Sequence, residues 1–159
     1  MRVKQLSKAL TISLGAMLLL FSGATLASAG PKISVTMLNN GYDIKSGSPS
    51  GTMNPGFTMQ VGEENVITLK NQDATAHDFV SKAFRGMDVE VVGDHEYITD
   101  GMATGYRVQP GTIVKLKFSP RVGEDFSGSW DVFYCTIHGK ANMKGEVIVA
   151  DTRTGSGAF

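Results

Sequence analysis

Cysteine is nearly absent from this 159-residue chain: Cys135 is the only one, so no internal disulfide can form. Histidine is scarce too, with His77, His95 and His138 making up the whole complement. Neither sign of charge dominates, since fifteen basic side chains balance fifteen acidic ones. The chain carries no basic run, which argues against nucleic acid as a partner. No internal repeat is evident. What remains is a set of short apolar segments and a few residues with metal-binding chemistry.

Residues 1–29 read as a secretory signal peptide. Arg2, Lys4 and Lys8 form a positive start, and an apolar stretch runs from about Ala9 to Phe21. Ala27-Ser28-Ala29 is a small-residue cleavage site, which would make Gly30 the first mature residue. The alternative is a retained anchor, but the run is marginal against the roughly 20 apolar residues that a span needs. No cysteine follows it, which disfavours a lipid-anchored form. Removing its three basic residues leaves twelve basic and fifteen acidic side chains, a net charge of −3. Export to the periplasm or another extracytoplasmic space places Cys135 under oxidising conditions. A lone thiol there needs burial or a metal.

Residues 30–150 are expected to form one all-β domain, with 151–159 as a loose, Gly-rich tail. Lys32–Leu38 and Thr112–Phe118 alternate apolar and polar residues, as half-buried strands do. Phe57–Val61, Asn65–Lys70, Asp78–Ser81, Tyr106–Val108, Trp130–Tyr134 and Gly145–Ala150 read as further strands. Asn39-Asn40-Gly41 and Gln109-Pro110-Gly111 mark turns, and residues 46–56 a loop. About seven short strands in this order suggest a Greek-key β-sandwich. Trp130 is expected between the sheets. Of Phe133 and Tyr134, alternation sends one inward and one outward. Residues 83–105, broken by four glycines, suggest a short helix or an irregular excursion. His95, in Gly93-Asp94-His95-Glu96, is expected at the surface.

The chemistry concentrates in Cys135-Thr-Ile-His138-Gly-Lys-Ala-Asn-Met143, with His77 far upstream. One thiolate, one thioether and two imidazoles are the donor set of a mononuclear blue-copper site, with the thioether as a weak axial contact. Cys135 ends one strand, and the loop to Met143 is long enough to curl round one ion, helped by Gly139. His77 must arrive from a neighbouring strand. Other readings of these residues exist. Cys135 could be an inert buried thiol, Met143 ordinary core packing and His138 a surface residue. A Cys–His hydrolase would need an oxyanion motif that the sequence does not offer.

Cys135-x-x-His138-x-x-x-x-Met143, followed by Lys144-Gly145-Glu146-Val147-Ile148-Val149, resembles the copper loop and last strand of the cupredoxins, with spacing similar to plastocyanin and pseudoazurin. Ala76-His77-Asp78-Phe79-Val80 is similar to the strand end that carries the family's first histidine. The resemblance covers about Phe57 to Ala150. It implies a Greek-key sandwich of the cupredoxin type and one type 1 copper ion. The ligands it implies are His77, Cys135, His138 and Met143. Asp78 departs from the asparagine often found after the first histidine. Its carboxylate can accept hydrogen bonds from backbone or Ser/Thr donors near Cys135, and its charge would favour Cu(II). Ile137 stands where the family often has proline, which bears on loop rigidity and so on potential.

The implied function is single-electron shuttling between redox proteins, such as a cytochrome or a membrane oxidase or reductase complex, by a monomer that is not an enzyme. The edge of His138 is the expected electron port, with Ile137 and Ala141 as an apolar rim and Lys140 and Lys144 adding positive charge. Multicopper enzymes need more than three histidines, and a binuclear centre needs a second cysteine. The remaining alternative is a periplasmic copper chaperone or storage protein, for which several methionines or paired cysteines would be the usual donors.

Overall fold

The computed structural model describes residues 29–45, 54–120 and 128–151. The expected signal peptide up to residue 28, most of the 46–56 loop, and residues 152–159 of the tail lie outside the described residues. Among those described, eleven strands form two sheets. They are β1 (Ala29–Leu38), β2 (Gly41–Lys45), β3 (Gly56–Gln60), β4 (Glu64–Asn71), β5 (His77–Ser81), β6 (Val89–Val92), β7 (His95–Asp100), β8 (Ala103–Val108), β9 (Ile113–Phe118), β10 (Trp130–Tyr134) and β11 (Lys144–Ala150). One sheet has the order β2-β1-β4-β9-β6 and the other β3-β11-β10-β5-β8-β7. Within each sheet one pair is parallel, β1 with β4 and β3 with β11. These pairs join distant parts of the chain, as the long returns of a Greek key do.

Alternation decides which side chains meet between the sheets. On β9, Val114, Leu116 and Phe118 are buried while Lys115 and Lys117 point outward. Ile33, Val35 and Met37 of β1 and Ile67 and Leu69 of β4 line the same face. Opposite them stand Phe57, Phe79 and Phe133. The rings of Phe79 and Phe133 lie 4.8 Å apart, and Tyr42 meets Phe133 edge-on at 5.0 Å. Each such ring pair contributes about 0.5–1.5 kcal/mol beyond its area burial. Tyr42 also donates to the Asp78 carbonyl at 2.5 Å, which ties β2 across the sandwich to the start of β5. Burial, with Cys135 and Asp78 nearby, pushes its phenol well above the usual range.

Two expectations need correction. Trp130 does not fill the core: it is 59% exposed, and its Nε1 donates to Glu146 Oε2 at 3.3 Å. Phe133 takes the inward position on β10, so Trp130, three residues earlier, falls on the outer face. Residues 83–105 are neither a helix nor an irregular excursion. After a 3₁₀ turn at Lys82–Phe84 they contain β6, β7 and the first half of β8. Gly86, Gly93 and Gly101 supply positive φ at the turns between these strands. Asp151, assigned to the tail by sequence, is buried.

Gly105 is needed for a different reason. It pairs with Val80 on β5 and with Ile98 on β7. A Cβ there would fall inside contact distance of the Phe79 carbonyl oxygen and 2.7 Å from Val80 Cα. Gly105→Ala is therefore expected to push β8 away from β5 and destabilise the fold by about 1–3 kcal/mol. A lower midpoint in chemical denaturation would record it. A midpoint matching wild type would mean that the two strands have slack the packing does not show.

Candidate metal centre

The site is assembled from two segments at one end of the second sheet. β5 opens with His77, and every residue of that strand is buried. β10 ends at Tyr134, so Cys135 is the first residue of the following loop, with no solvent exposure. The loop then turns back on itself. Met143 and Asn142 donate their N–H groups to the Gly139 carbonyl at 3.1 and 3.0 Å, and Cys135 N–H donates to the Met143 carbonyl at 3.1 Å. Asn142 Nδ2 caps the His138 carbonyl at 2.9 Å. Gly139, at φ 79°, makes the reversal that a side chain would oppose. These bonds supply the rigidity that Ile137, itself 48% exposed, does not.

The result brings three of the four sequence-selected residues together. One donor atom each from His77, Cys135 and His138 lie within 4.8 Å of one another. His138 Nδ1 is 3.3 Å from Cys135 Sγ, and the two imidazole rings lie 4.8 Å apart. His138 is partly exposed, whereas His77 is completely buried. Met143 is buried and joined to Cys135 through the backbone bond that closes the loop. His95 stays at the surface as expected, with Nδ1 against the Gly93 carbonyl, and takes no part.

His77 has one ring nitrogen engaged and the other free. Its Nε2 meets Asp73 Oδ2 at 2.8 Å, while its Nδ1 is buried with no hydrogen-bond partner among the described residues. A buried orphan nitrogen normally costs about 1–3 kcal/mol. Here it is the nitrogen that the ring leaves free, and the ring stands with nitrogen and sulfur donors of the kind that bind copper. The main-chain N–H of Asp78 points at Cys135 Sγ from 3.3 Å, a contact that suits a thiolate.

Asp78 itself is fully buried. As expected from its position, it accepts from a hydroxyl beside the cysteine, that of Thr136. Arg107 carries no signal in the sequence that points to the site. It lies opposite Asp78 in the β5–β8 register and donates from Nε and Nη2 at 2.8 and 3.1 Å. The paired Asp78 carboxylate holds the guanidinium above its ordinary range. The negative charge expected to favour Cu(II) is thus largely offset. Asp73 and Thr136 were missed as well. Thr136 adjoins Cys135 and Asp73 stands four residues before His77, but nothing in residue type alone marks them.

Near the loop, Tyr134 faces outward with its hydroxyl on Asp100 Oδ2 at 2.9 Å, and Lys140 Nζ sits 5.3 Å from its ring centre. Partial burial and the Asp100 carboxylate push the Tyr134 phenol up to about 12. Among the described residues no helix is long and apolar enough to cross a membrane.

No protein-family model and no curated protein matches the chain. Solved structures of amicyanin variants are similar to it. An oxidised methionine-to-leucine variant is 17% identical over 73% of this chain and 79% of that one, at a TM-score of 0.41. A Cu(I) methionine-to-glutamine variant is 18% identical over 74% and 81%, at 0.42. The Cu(I) form of a methionine-to-alanine variant is 19% identical over 79% and 87%, at 0.42. The cupredoxin resemblance read from sequence is matched by the architecture itself: an all-β sandwich of two sheets with a His-Cys-His cluster that fits a type 1 copper site.

Proposed function

We propose that the chain is an exported electron carrier that holds one type 1 copper ion through His77, Cys135, His138 and, axially, Met143. The observation that carries this reading is the bare, buried Nδ1 of His77 grouped with the thiol of Cys135 and the ring of His138. A thiol and two imidazoles so placed form the trigonal donor set of a blue-copper site. Copper bound there would supply a one-electron couple. The protein's part is to hold the donors still, and the loop bonds and strand β5 do that. Burial of His77 and Cys135 favours a retained ion over one handed to another protein, so electron transfer is preferred to copper delivery or storage.

The exchange surface in this reading is the His138 side of the loop. His138 is partly exposed, and Ile137, Lys140, Ala141 and Lys144 lie around it in sequence, all four exposed. A redox protein with an apolar contact area and complementary negative charge would suit it. Cleavage after Ala29 would deliver the domain, as a monomer, to an extracytoplasmic space.

The axial role is tested by Met143→Gln. A thioether favours Cu(I), and a harder amide oxygen favours Cu(II). The variant is expected to stay folded with a lower reduction potential, measured by protein-film voltammetry. An unchanged potential and visible spectrum would leave Met143 as core packing alone.

A further inference from the structure

Asp73 stands four residues before His77, in the loop between β4 and β5, with its Oδ2 2.8 Å from His77 Nε2. The carboxylate is only 18% exposed, and among the described residues its ion-pair partner is His77. Two segments besides that of His77 hold Asp73. The turn between β1 and β2 places the Asn40 N–H 3.3 Å from the same oxygen. That turn has Asn39 and Asn40 both at φ 55°, a left-handed pair that suits a tight hairpin. Asp73 N–H donates to Asn71 Oδ1 at 2.9 Å. Asn71 is itself buried and donates to the carbonyls of Thr75 and Val108 at 2.8 and 2.9 Å. The β1–β2 turn therefore holds the carboxylate directly, Asn71 at the end of β4 fixes its main chain and is itself tied to the end of β8, and the same carboxylate oxygen meets His77.

The consequence for the ring follows from its two nitrogens. A carboxylate can only accept, so Nε2 carries the proton and Nδ1 keeps its lone pair. That lone pair belongs to the buried atom with no partner among the described residues, on a ring that stands with Cys135 and His138. An anionic acceptor also makes the imidazole a stronger donor than a neutral one would. The neighbouring acid Asp78 is offset by Arg107. Among the described residues Asp73 has no such cation, so its charge acts through His77.

We propose that Asp73 is a positioning residue that locks the His77 ring, with Nδ1 presented to the site, and biases the bound copper toward Cu(II). This rests on the copper reading above. The test uses the whole mature protein. Asp73→Asn keeps the shape and an acceptor oxygen but removes the charge. Asp73→Glu restores the charge one methylene further out.

If wild type shows one copper per chain and an intense thiolate band, Asp73→Asn should keep both. The ratio of Cu(II) to Cu(I) affinity should fall by about tenfold, a rise in potential of about 59 mV. Asp73→Glu should return the potential toward wild type. An unchanged or lowered potential in Asp73→Asn would overturn the proposal. Nitrogen-15 NMR of the copper-free wild type reads the positioning without any metal. The proton should sit on His77 Nε2, and a proton on Nδ1 would contradict the lock. Absence of the thiolate band in wild type would instead sink the copper reading, and the NMR result would still judge Asp73's hold on the ring.

Discussion

Cys135→Ser is expected to abolish the intense visible absorption of the copper-loaded protein completely. The band requires a thiolate bound to copper, and Cys135 is the only thiol in the chain. Some copper should stay on His77 and His138, giving a weakly coloured form. The fold should survive. Serine is nearly isosteric, and its oxygen can still accept the Asp78 N–H that now points at Sγ from 3.3 Å. A change in copper-free stability of about 1 kcal/mol is expected, the usual scale for altering one hydrogen bond. Absorption spectroscopy with metal analysis separates loss of the ligand from loss of the metal. An intense band that persists in the serine variant would mean that the donors are misassigned.

The second large effect is on stability. Arg107→Met removes the cation that faces a fully buried carboxylate. Asp78 would keep the Thr136 hydroxyl but lose two charged donors. Breaking a buried pair from one side costs about 3–5 kcal/mol. Arg107 is 28% exposed, so water can reach the vacated side, and the lower end of that range is expected. For a domain of this size about 3 kcal/mol lowers the melting temperature by roughly 10 °C. The pair also predicts non-additivity. In the Asp78→Asn, Arg107→Met double variant most of the loss should return, because the stranded charge is gone. With the carboxylate unmasked in Arg107→Met, the reduction potential should fall. A cost below about 1 kcal/mol, with additive single variants, would show that the pair is a loosely solvated contact.

The candidate donors were legible because their chemistry is local. Cys135, His138 and Met143 share one loop, and His77 begins a strand whose apolar run, Phe79-Val80, marks it as buried. The charged frame behind them was not legible. Asp78 meets Arg107 only because β5 and β8 pair in one register, and Asp73 meets the Asn40 N–H only through the β1–β2 turn. Both are contacts between residues about thirty apart. Strand β7 escaped notice for another reason. His95–Asp100 is almost wholly exposed, at the edge of its sheet, so no apolar alternation marks it. Tyr97 packs edge-on against Tyr106 of β8, yet stays 59% exposed. Trp130 was misplaced by treating its size as evidence of burial. The parity set by Phe133 on the same strand decides its side.

The most direct test of the central claim is a titration of the copper-free mature protein with Cu(II), followed by visible absorption and electron paramagnetic resonance. An intense thiolate-to-copper band that saturates at one equivalent is expected, with the narrow copper hyperfine splitting of a type 1 site. It should bleach fully on one-electron reduction and return on oxidation. Weak absorption with the wide splitting of a nitrogen- and oxygen-bound ion, or saturation away from one equivalent, would contradict the assignment of His77, Cys135 and His138 to a single blue-copper centre.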